Sequence, residues 1–254
     1  MGWRQTTSAL TKDEQIELKE ELLRKGVLQE DDLPLYEMLM PDRIKRMYEV
    51  LNTRTNHITI LTEGVDDPHN QSAVLRSADA FGVQTLHVVE GRAKFKPNSI
   101  IAKSADRWVD VVEHGSIEEA IDALKEDGYQ VYATALSEEA IPLEEVDVSN
   151  PTVLLFGNEH SGVSEAALKK ADGNFVIPMQ GYVQSLNISV AAAISLYDVT
   201  TRSRHIVTEG YELPVEDQAR IFKDWMVKSL PKRTLGLYKQ KGITAFERET
   251  GNSE

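Results

Sequence analysis

The sequence of 254 residues contains no cysteine. This absence excludes a disulfide framework, a thiolate metal site and a cysteine nucleophile. No apolar run approaches the roughly eighteen residues of a membrane-spanning helix, so the sequence predicts none. The N-terminal stretch MGWRQTTSALTKDEQ lacks the apolar segment of a secretory signal. We therefore expect a cytoplasmic protein that has no membrane partner.

Histidines are few and are scattered along the chain. The six of them do not show the spacing that is typical of metal ligands. Because cysteine is absent as well, the sequence predicts no bound metal.

Positive charge is scarce overall but is concentrated in parts of the chain. The formal net charge of −13 argues against a nucleic-acid ligand, because RNA binding needs cations that replace counterions. However, eleven acidic residues lie between positions 113 and 149 against Lys125 alone, whereas positions 220–248 hold eight Lys or Arg against two acidic residues. Two interpretations stay open: a solvated surface of mixed charge, or a dipolar protein with one face for RNA.

Hydrophobic residues make up 41% of the chain, which is enough for a sizeable core. Residues 1–52 are charged and have apolar side chains at helical spacing, which predicts a helical N-terminal extension. Residues 53–205 alternate five or six apolar strands with helices. This pattern favours an α/β domain with a mainly parallel sheet and helices on both faces. Residues 206–254 are predicted as a basic, helical C-terminal extension. Periodicity alone favours a doubly wound Rossmann-type topology.

Ligands of open α/β sheets bind beyond the carboxyl ends of the strands, so the turns there are the places to expect site residues. The first such turn leads into PHNQSAVLRSADAFG, where we expect a helix with Asn70 as its N-cap and Gly82 just past its end. Helical side chains lean toward the N-terminus, so Arg76 in the second turn reaches the same space. One interpretation is an anion site; the other is a capping Asn70 and a solvent-facing Arg76.

Two later turns are also unusual. In LLFGNEHSGVS, Gly157 and Gly162 bracket a polar loop that contains Glu159, and the glycines permit a ligand to approach the backbone closely. The loop is neither a Walker A motif nor a nucleophile elbow, and an ordinary turn is the alternative. In VIPMQGYVQSLNISVAAAISL, Ser185 and Asn187 lead into a helix of small residues, and either of them would also serve as a simple cap.

In this order and spacing, the three segments resemble the three motifs of the SPOUT superfamily, specifically the SpoU or TrmH family of RNA ribose 2'-O-methyltransferases. PHNQSAVLRSADAFG matches the first motif, LLFGNEHSGVSEAAL the second and IPMQGYVQSLNISVAAA the third. VQSLN and the flanking helices are similar to the branch that methylates the D-loop guanosine of tRNA. The resemblance implies a C-terminal trefoil knot within roughly residues 150–200, which periodicity does not reveal.

The resemblance also implies a homodimer that uses S-adenosylmethionine to methylate tRNA, and it assigns roles to individual residues. The catalytic residues would be Arg76, Asn70, Glu159, Ser185 and Asn187. The cofactor would contact Leu155, Phe156, Gly157, Ile177, Pro178, Met179, Ser185, Leu186 and Asn187. The RNA would contact His69, Arg202 and Arg204. The distribution of charge, rather than the resemblance, leads us to expect additional contacts to the RNA backbone from the short basic stretch that contains Arg43 and Arg46. We expect the acidic stretch 113–149 to point away from the RNA.

Three alternatives are weighed against a tRNA enzyme. An enzyme that methylates a ribosomal RNA guanosine would use the same chemistry. The sequence distinguishes it from a tRNA enzyme only through the appended helices and VQSLN. A catalytically silent RNA-binding protein is disfavoured by the intact set of polar residues. A nicotinamide dehydrogenase is disfavoured because no G-x-G-x-x-G follows the first strand. The role of Arg76 stays open between a general base and a clamp that holds the adjacent phosphate.

Overall fold

The chain forms two compact units. The larger is Arg54–Glu212, and the smaller combines Met1–Thr53 with Leu213–Glu254. The computed structural model describes residues 9–231 and Arg233, so position 232 and positions 234–254 of the predicted basic C-terminal extension lie outside the described residues. The larger unit continues beyond the predicted boundary at 205, and the two terminal segments, predicted as separate extensions, share one unit.

A seven-stranded sheet forms the centre of the larger unit, and all of its pairings are parallel. The strands are β1 (Ile58–Glu63), β2 (Thr85–Val89), β3 (Asp110–His114), β4 (Gln130–Thr134), β5 (Ile141–Pro142), β6 (Thr152–Phe156) and β7 (Gly173–Val176). Their order in space is β3-β2-β1-β6-β4-β7-β5. The predicted α/β class with a mainly parallel sheet is therefore confirmed. The strand β7 ends at Val176, two residues before Pro178, which has no N–H to donate to a neighbouring strand.

Strands and helices alternate as predicted, except that β4, β5 and β6 follow one another without an α-helix between them. The helices are α1 (Lys12–Arg24), α2 (Leu33–Tyr36), α3 (Pro41–Leu51), α4 (Pro68–Phe81), α5 (Ser99–Ala102), α6 (Ile117–Glu126), α7 (Glu165–Lys170), α8 (Ile188–Ile206) and α9 (Val215–Ser229). Single 3-10 turns lie at Glu30–Asp32, Ala105–Arg107 and Leu143–Glu145.

The helix α4 begins earlier than predicted. Asp67 is its N-cap and accepts a hydrogen bond from the His69 N–H at 2.8 Å, while Pro68 occupies the first helical position. The prediction that Asn70 caps the helix is wrong, because a proline at the first position leaves Asp67 as the cap and puts Asn70 inside the helix. Gly82 ends the helix as predicted, with a φ of 82° that suits a residue without a side chain.

Alternate side chains of β1 and β6 are buried in opposite layers of the core. Ile60 and Leu154 belong to the cluster that also contains apolar residues of α4 and α8, whereas Leu61 and Leu155 belong to the cluster with residues of α6 and α7. All four are fully buried. Because helices cover both faces, each of these central strands buries apolar side chains at consecutive positions, which is typical of parallel sheets.

The smaller unit is held together by the packing of α3 on α9. As predicted, α3 turns one apolar face inward, and the residues it buries are Ile44, Met47, Tyr48 and Leu51. From α9 the buried residues are Ile221, Phe222, Trp225 and Met226. Lys223 adds an ion pair at 3.0 Å with the buried carboxylate of Asp32. Arg43 and Arg46 are exposed on α3, where Arg46 lies 3.5 Å from Glu49.

Within residues 9–231, no helix is long and apolar enough to cross a bilayer. The same part of the chain contains no group of three or more His, Asp or Glu side chains placed to hold a metal ion.

The strands β2 and β3 carry a pair of histidines whose titration affects stability. His87 Nδ1 lies 2.9 Å from His114 Nε2, and burial together with the neighbouring His114 lowers the pKa of His87 to about 4. In the unfolded chain the pKa is about 6.5, so the unfolded state binds more protons between pH 6.5 and 4. The stabilisation by neutral His87 is complete above pH 6.5 and is lost as the pH falls toward 4.

We expect this loss to lower the free energy of unfolding by up to about 3 kcal/mol. Urea unfolding at pH 7, 6, 5 and 4 measures the loss, and His87→Asn should remove it. His205→Asn, on an exposed residue, is the matched control and should keep the wild-type pH dependence. Equal pH profiles for the wild type and His87→Asn would contradict the prediction.

Candidate functional site

A cavity of about 650 Å³ opens at the carboxyl ends of β4, β6 and β7. It lies where the strand-end rule places ligand sites in α/β proteins, and its volume is within the range of about 300–1,000 Å³ for small-molecule pockets. Most of the residues expected to bind the cofactor line it, namely Phe156, Gly157, Ile177, Met179, Ser185, Leu186 and Asn187. Glu159 lines it as well.

Two of the expected cofactor residues do not line the cavity. Leu155 is fully buried in the core cluster on the α6 side of the sheet, because its side chain points opposite to that of Phe156. Pro178 is exposed and lies outside the lining, between Ile177 and Met179, which both belong to it.

The loop after β6 folds back on itself, and Gly157 makes this possible. Asn158 and Gly162 exchange two backbone hydrogen bonds of 2.9 and 3.0 Å. A Cβ atom on Gly157 would lie 2.2 Å from the Gly162 backbone, so no other residue fits there without moving the loop. Gly162 has a φ of +69°, but a Cβ atom added there would meet no other atom within 4 Å. The two glycines, predicted to allow a close backbone approach, thus shape the loop in different ways.

We expect Gly157→Ala to destabilise the protein by about 2–3 kcal/mol, because the added methyl group overpacks a backbone contact. Gly162→Ala should cost about 1–2 kcal/mol, the strain of a left-handed conformation without a steric clash. Urea denaturation of both variants measures the difference. A Gly157→Ala variant as stable as Gly162→Ala would contradict this account of the loop.

A direct hydrogen bond joins two of the expected catalytic residues. Asn70 on α4 donates from Nδ2 to Glu159 Oε1 at 2.8 Å. Asn70 is 7% exposed, whereas Glu159 is exposed and lines the cavity. The bond therefore ties the first turns of α4 to the wall of the cavity.

Asn158, beside Glu159, is a positioning residue that the sequence analysis missed. Its Nδ2 donates to the Gly64 carbonyl at the end of β1 at 2.6 Å, and its Oδ1 accepts from the His160 N–H at 2.9 Å. These bonds hold the loop in the position in which Glu159 meets Asn70. The Gly-Asn-Glu string was visible in the sequence, but the partner of Asn158 lies 94 positions away and only the fold brings it close.

The end of β4 also contributes to the cavity through Thr134, Ala135 and Leu136, which the sequence analysis did not single out. The rule that ligands bind beyond the carboxyl ends of strands could have pointed to these residues, because they follow β4, which lies next to β6 in the sheet.

The remaining expected catalytic residues are placed as follows. Asn187 is the N-cap of α8, and its Oδ1 accepts from the Ser189 N–H at 2.8 Å. The interpretation of Asn187 as a helix cap is therefore confirmed, and the same residue also lines the cavity. Ser185 is exposed beside it. Arg76 is exposed on α4 and does not line the cavity, and its guanidinium pairs with no other described residue.

The structure does not support Arg202 as an RNA contact. Its guanidinium is half-buried, pairs with Asp198 at 2.7 Å, and donates to the carbonyls of Val146 and Leu143 at 2.8 and 3.0 Å. These contacts use its donors to fix the segment before β6 against α8. Arg204 is exposed and donates to the Phe81 carbonyl at 3.1 Å.

The predicted RNA contact His69 is exposed in the first turn of α4. It therefore lies one residue before Asn70, at the end of the helix that the hydrogen bond to Glu159 ties to the cavity.

This fold and this cavity define an α/β protein with a cavity of small-molecule size at the carboxyl ends of its strands, and α4, which reaches the cavity wall through Asn70, carries an exposed arginine. Residues 57–197 match the family model described as the SpoU rRNA Methylase family. The chain belongs to this family, as its three motifs predicted.

Individual relatives agree with the family match. A tRNA (guanosine(18)-2'-O)-methyltransferase of Thermus thermophilus is 42% identical over 187 residues, which cover 73% of this chain and 96% of the relative. The crystal structure of the Aquifex aeolicus TrmH/SpoU tRNA modifying enzyme is similar with a TM-score of 0.68 and 36% identity, covering 75% of this chain and 98% of that one. The SpoU methyltransferase AviRb from Streptomyces viridochromogenes, solved in complex with AdoMet, is similar with a TM-score of 0.53 and 28% identity over 63% of this chain and 62% of that one.

Proposed function

We propose that this protein transfers a methyl group from S-adenosylmethionine to the ribose 2'-hydroxyl of guanosine 18 in tRNA. The observation that carries the proposal is the relative from Thermus thermophilus, which bears that name and of which this chain covers 96% at 42% identity. The cavity and the Asn70–Glu159 bond supply a site for such chemistry. We propose that the enzyme acts on tRNA in the cytoplasm, and we expect methyl transfer without a metal ion.

The cavity suits the proposed cofactor. The apolar side chains of Phe156, Ile177, Met179 and Leu186 line it together with the backbone of the glycine loop. Gly157 lets the loop fold tightly at the wall of the cavity, because a Cβ atom there would lie 2.2 Å from the Gly162 backbone. These groups would hold the adenosine and methionine parts, and the cofactor supplies an activated methyl group on a positively charged sulfur.

The residues of the chain must then position the ribose hydroxyl and assist the departure of its proton. We assign this work to Arg76, with Asn70 and Glu159 fixing the helix that carries it. A guanidinium has a pKa above about 12, so it is a poor base, and a clamp on the adjacent phosphate that also stabilises the developing alkoxide is the simpler role. Ser185 and Asn187 border the same space at the start of α8.

We propose further that two copies of the chain associate through α8. Val190, Ile194 and Tyr197 lie on one face of this helix at helical spacing and are 45%, 40% and 63% exposed. Such a row of apolar side chains is typical of a protein–protein contact. An identical row on a second copy would cover it in a symmetric dimer.

The expected trefoil knot is part of the same proposal. It would involve the chain from β6 to α8. The spatial order of β6, β4 and β7, with α8 then packing back against β6 and α4, supports such a threaded path.

Incubation with labelled S-adenosylmethionine and unmodified bulk tRNA or rRNA tests the function. Nuclease digestion and nucleoside analysis then locate the label. We expect it in 2'-O-methylguanosine from tRNA, at position 18. Label in rRNA alone would change the proposed substrate to ribosomal RNA, which is the RNA named in the description of the family. Cofactor binding without transfer to either RNA would favour a silent RNA-binding protein.

A further inference from the structure

A basic loop connects β2 to α5 and lies against the first turns of α4. Exposed and half-buried residues alternate along it: Arg92, Lys94 and Lys96 are exposed, whereas Ala93 and Phe95 are half-buried, and Phe95 packs against the core. None of the three charged groups pairs with another described residue. The loop therefore presents three cations to solvent from an anchored backbone.

A buried glutamine holds the middle of this loop. Gln71 on α4 is 2% exposed. Its Nε2 donates to the carbonyls of Val65 and Lys94 at 2.7 and 3.2 Å, and its Oε1 accepts from the Lys96 N–H at 2.9 Å. All three bonds reach backbone groups, so they fix the path of the loop and leave the two lysine ammonium groups without a hydrogen-bond or ion-pair partner among the described residues.

Further bonds fix the two ends of the loop. Near its start, the Asp66 carboxylate accepts from the Ala93 N–H at 2.9 Å, and a Cβ on Gly91 would lie only 2.8 Å from the Cα of Gly64. At its end, Ser72 Oγ accepts from the Asn98 N–H at 2.7 Å. A backbone that is ordered before binding loses less conformational entropy when a ligand binds.

The anchor points place this loop beside the catalytic helix face. Ser72, which holds the end of the loop, lies one helical turn before Arg76 on the same face of α4, and His69 precedes both on that face. A nucleic-acid strand whose ribose is presented to Arg76 therefore passes close to the loop.

We propose that Arg92, Lys94 and Lys96 form a preorganised phosphate-binding strip for the RNA strand that contains the target ribose, and that Gln71 is its positioning residue. The inference rests on the proposed RNA methyltransferase function. Exposed cations without protein partners bind phosphates mainly by releasing condensed counterions. The strip accounts for RNA binding by a chain whose net charge is −13, because the relevant charge is local.

The test compares two double variants with the same change in charge. In the first, Lys94→Gln and Lys96→Gln remove two cations of the strip. In the control, Lys169→Gln and Lys170→Gln remove two cations of α7, which pair with Glu165 and Asp122. The affinity for unmodified tRNA is measured by filter binding at several salt concentrations for both variants and for the wild type.

We expect the slope of log K against log salt to become shallower by about 1.4–1.8 in the strip variant, since each phosphate contact contributes about 0.7–0.9. Between about 50 and 200 mM salt the wild type should thus lose about tenfold more affinity than the strip variant. The control should keep the wild-type slope. The KM for tRNA should rise in the strip variant, while the affinity for S-adenosylmethionine and kcat at saturating tRNA should not change.

Gln71→Met, which keeps the size of the side chain but removes its hydrogen bonds, should also raise the KM for tRNA although all three cations remain. Equal salt slopes for the strip variant and the control would overturn the inference. Methyl transfer by the wild type is measured separately. Normal transfer to tRNA together with equal slopes would leave the proposed function standing and reject only the strip.

Discussion

Arg76→Lys is expected to lower the rate of methyl transfer to tRNA by about 10²–10³-fold, the usual cost of removing a group that stabilises developing charge. Lysine keeps the positive charge but lacks the planar pair of donors that grips a phosphate. Because Arg76 lies outside the cavity, the affinity for S-adenosylmethionine should stay unchanged. Single-turnover transfer and calorimetric binding of the cofactor measure the two quantities separately.

Arg24→Lys is the matched control for this substitution. Arg24 is exposed in the last turn of α1, in the smaller unit, and the exchange should leave transfer at the wild-type rate. Near-normal turnover of Arg76→Lys would contradict both the clamp and the general-base role, since each depends on the guanidinium.

Ile194→Glu is expected to separate the proposed dimer into single chains and to abolish methyl transfer. The new carboxylate lies in the middle of the apolar row on α8, and two copies of it would be buried against each other in a symmetric contact. Because α8 packs on α4, which carries Arg76, loss of the contact should disturb the position of Arg76 as well. Sedimentation and transfer assays measure the two effects.

Ile206→Glu provides a control on the same helix. Ile206 is 53% exposed at the end of α8, about 120° around the helix from Ile194. The same change of side chain there should leave association and transfer intact. A wild-type protein that sediments as a single chain at working concentration would remove the basis of the dimer proposal.

Some residues of the site could be predicted from the sequence, and others could not. Gly157 and Glu159 stand in an unusual loop after an apolar strand, so their chemistry was visible in the sequence and the structure places both at the cavity. Arg202 was indistinguishable from a surface arginine in the sequence. Its bonds to Val146 and Leu143 depend on a segment more than fifty positions away. The role of Gln71 was hidden as well, because its partners Lys94 and Lys96 lie 23 and 25 positions away in a loop that only the fold brings close.

The sequence by itself determined the class of fold and the family. Apolar strands alternating with helices require a parallel sheet covered on both faces, and three motifs in order identify the family. Only the tertiary structure decided which side chains meet. Asn70 was predicted as a helix cap because a cap depends only on neighbouring residues. In the structure its side-chain amide donates a hydrogen bond to Glu159, which lies 89 positions further along the chain. Hydrogen bonds between distant segments depend on the strand order, which local periodicity does not contain.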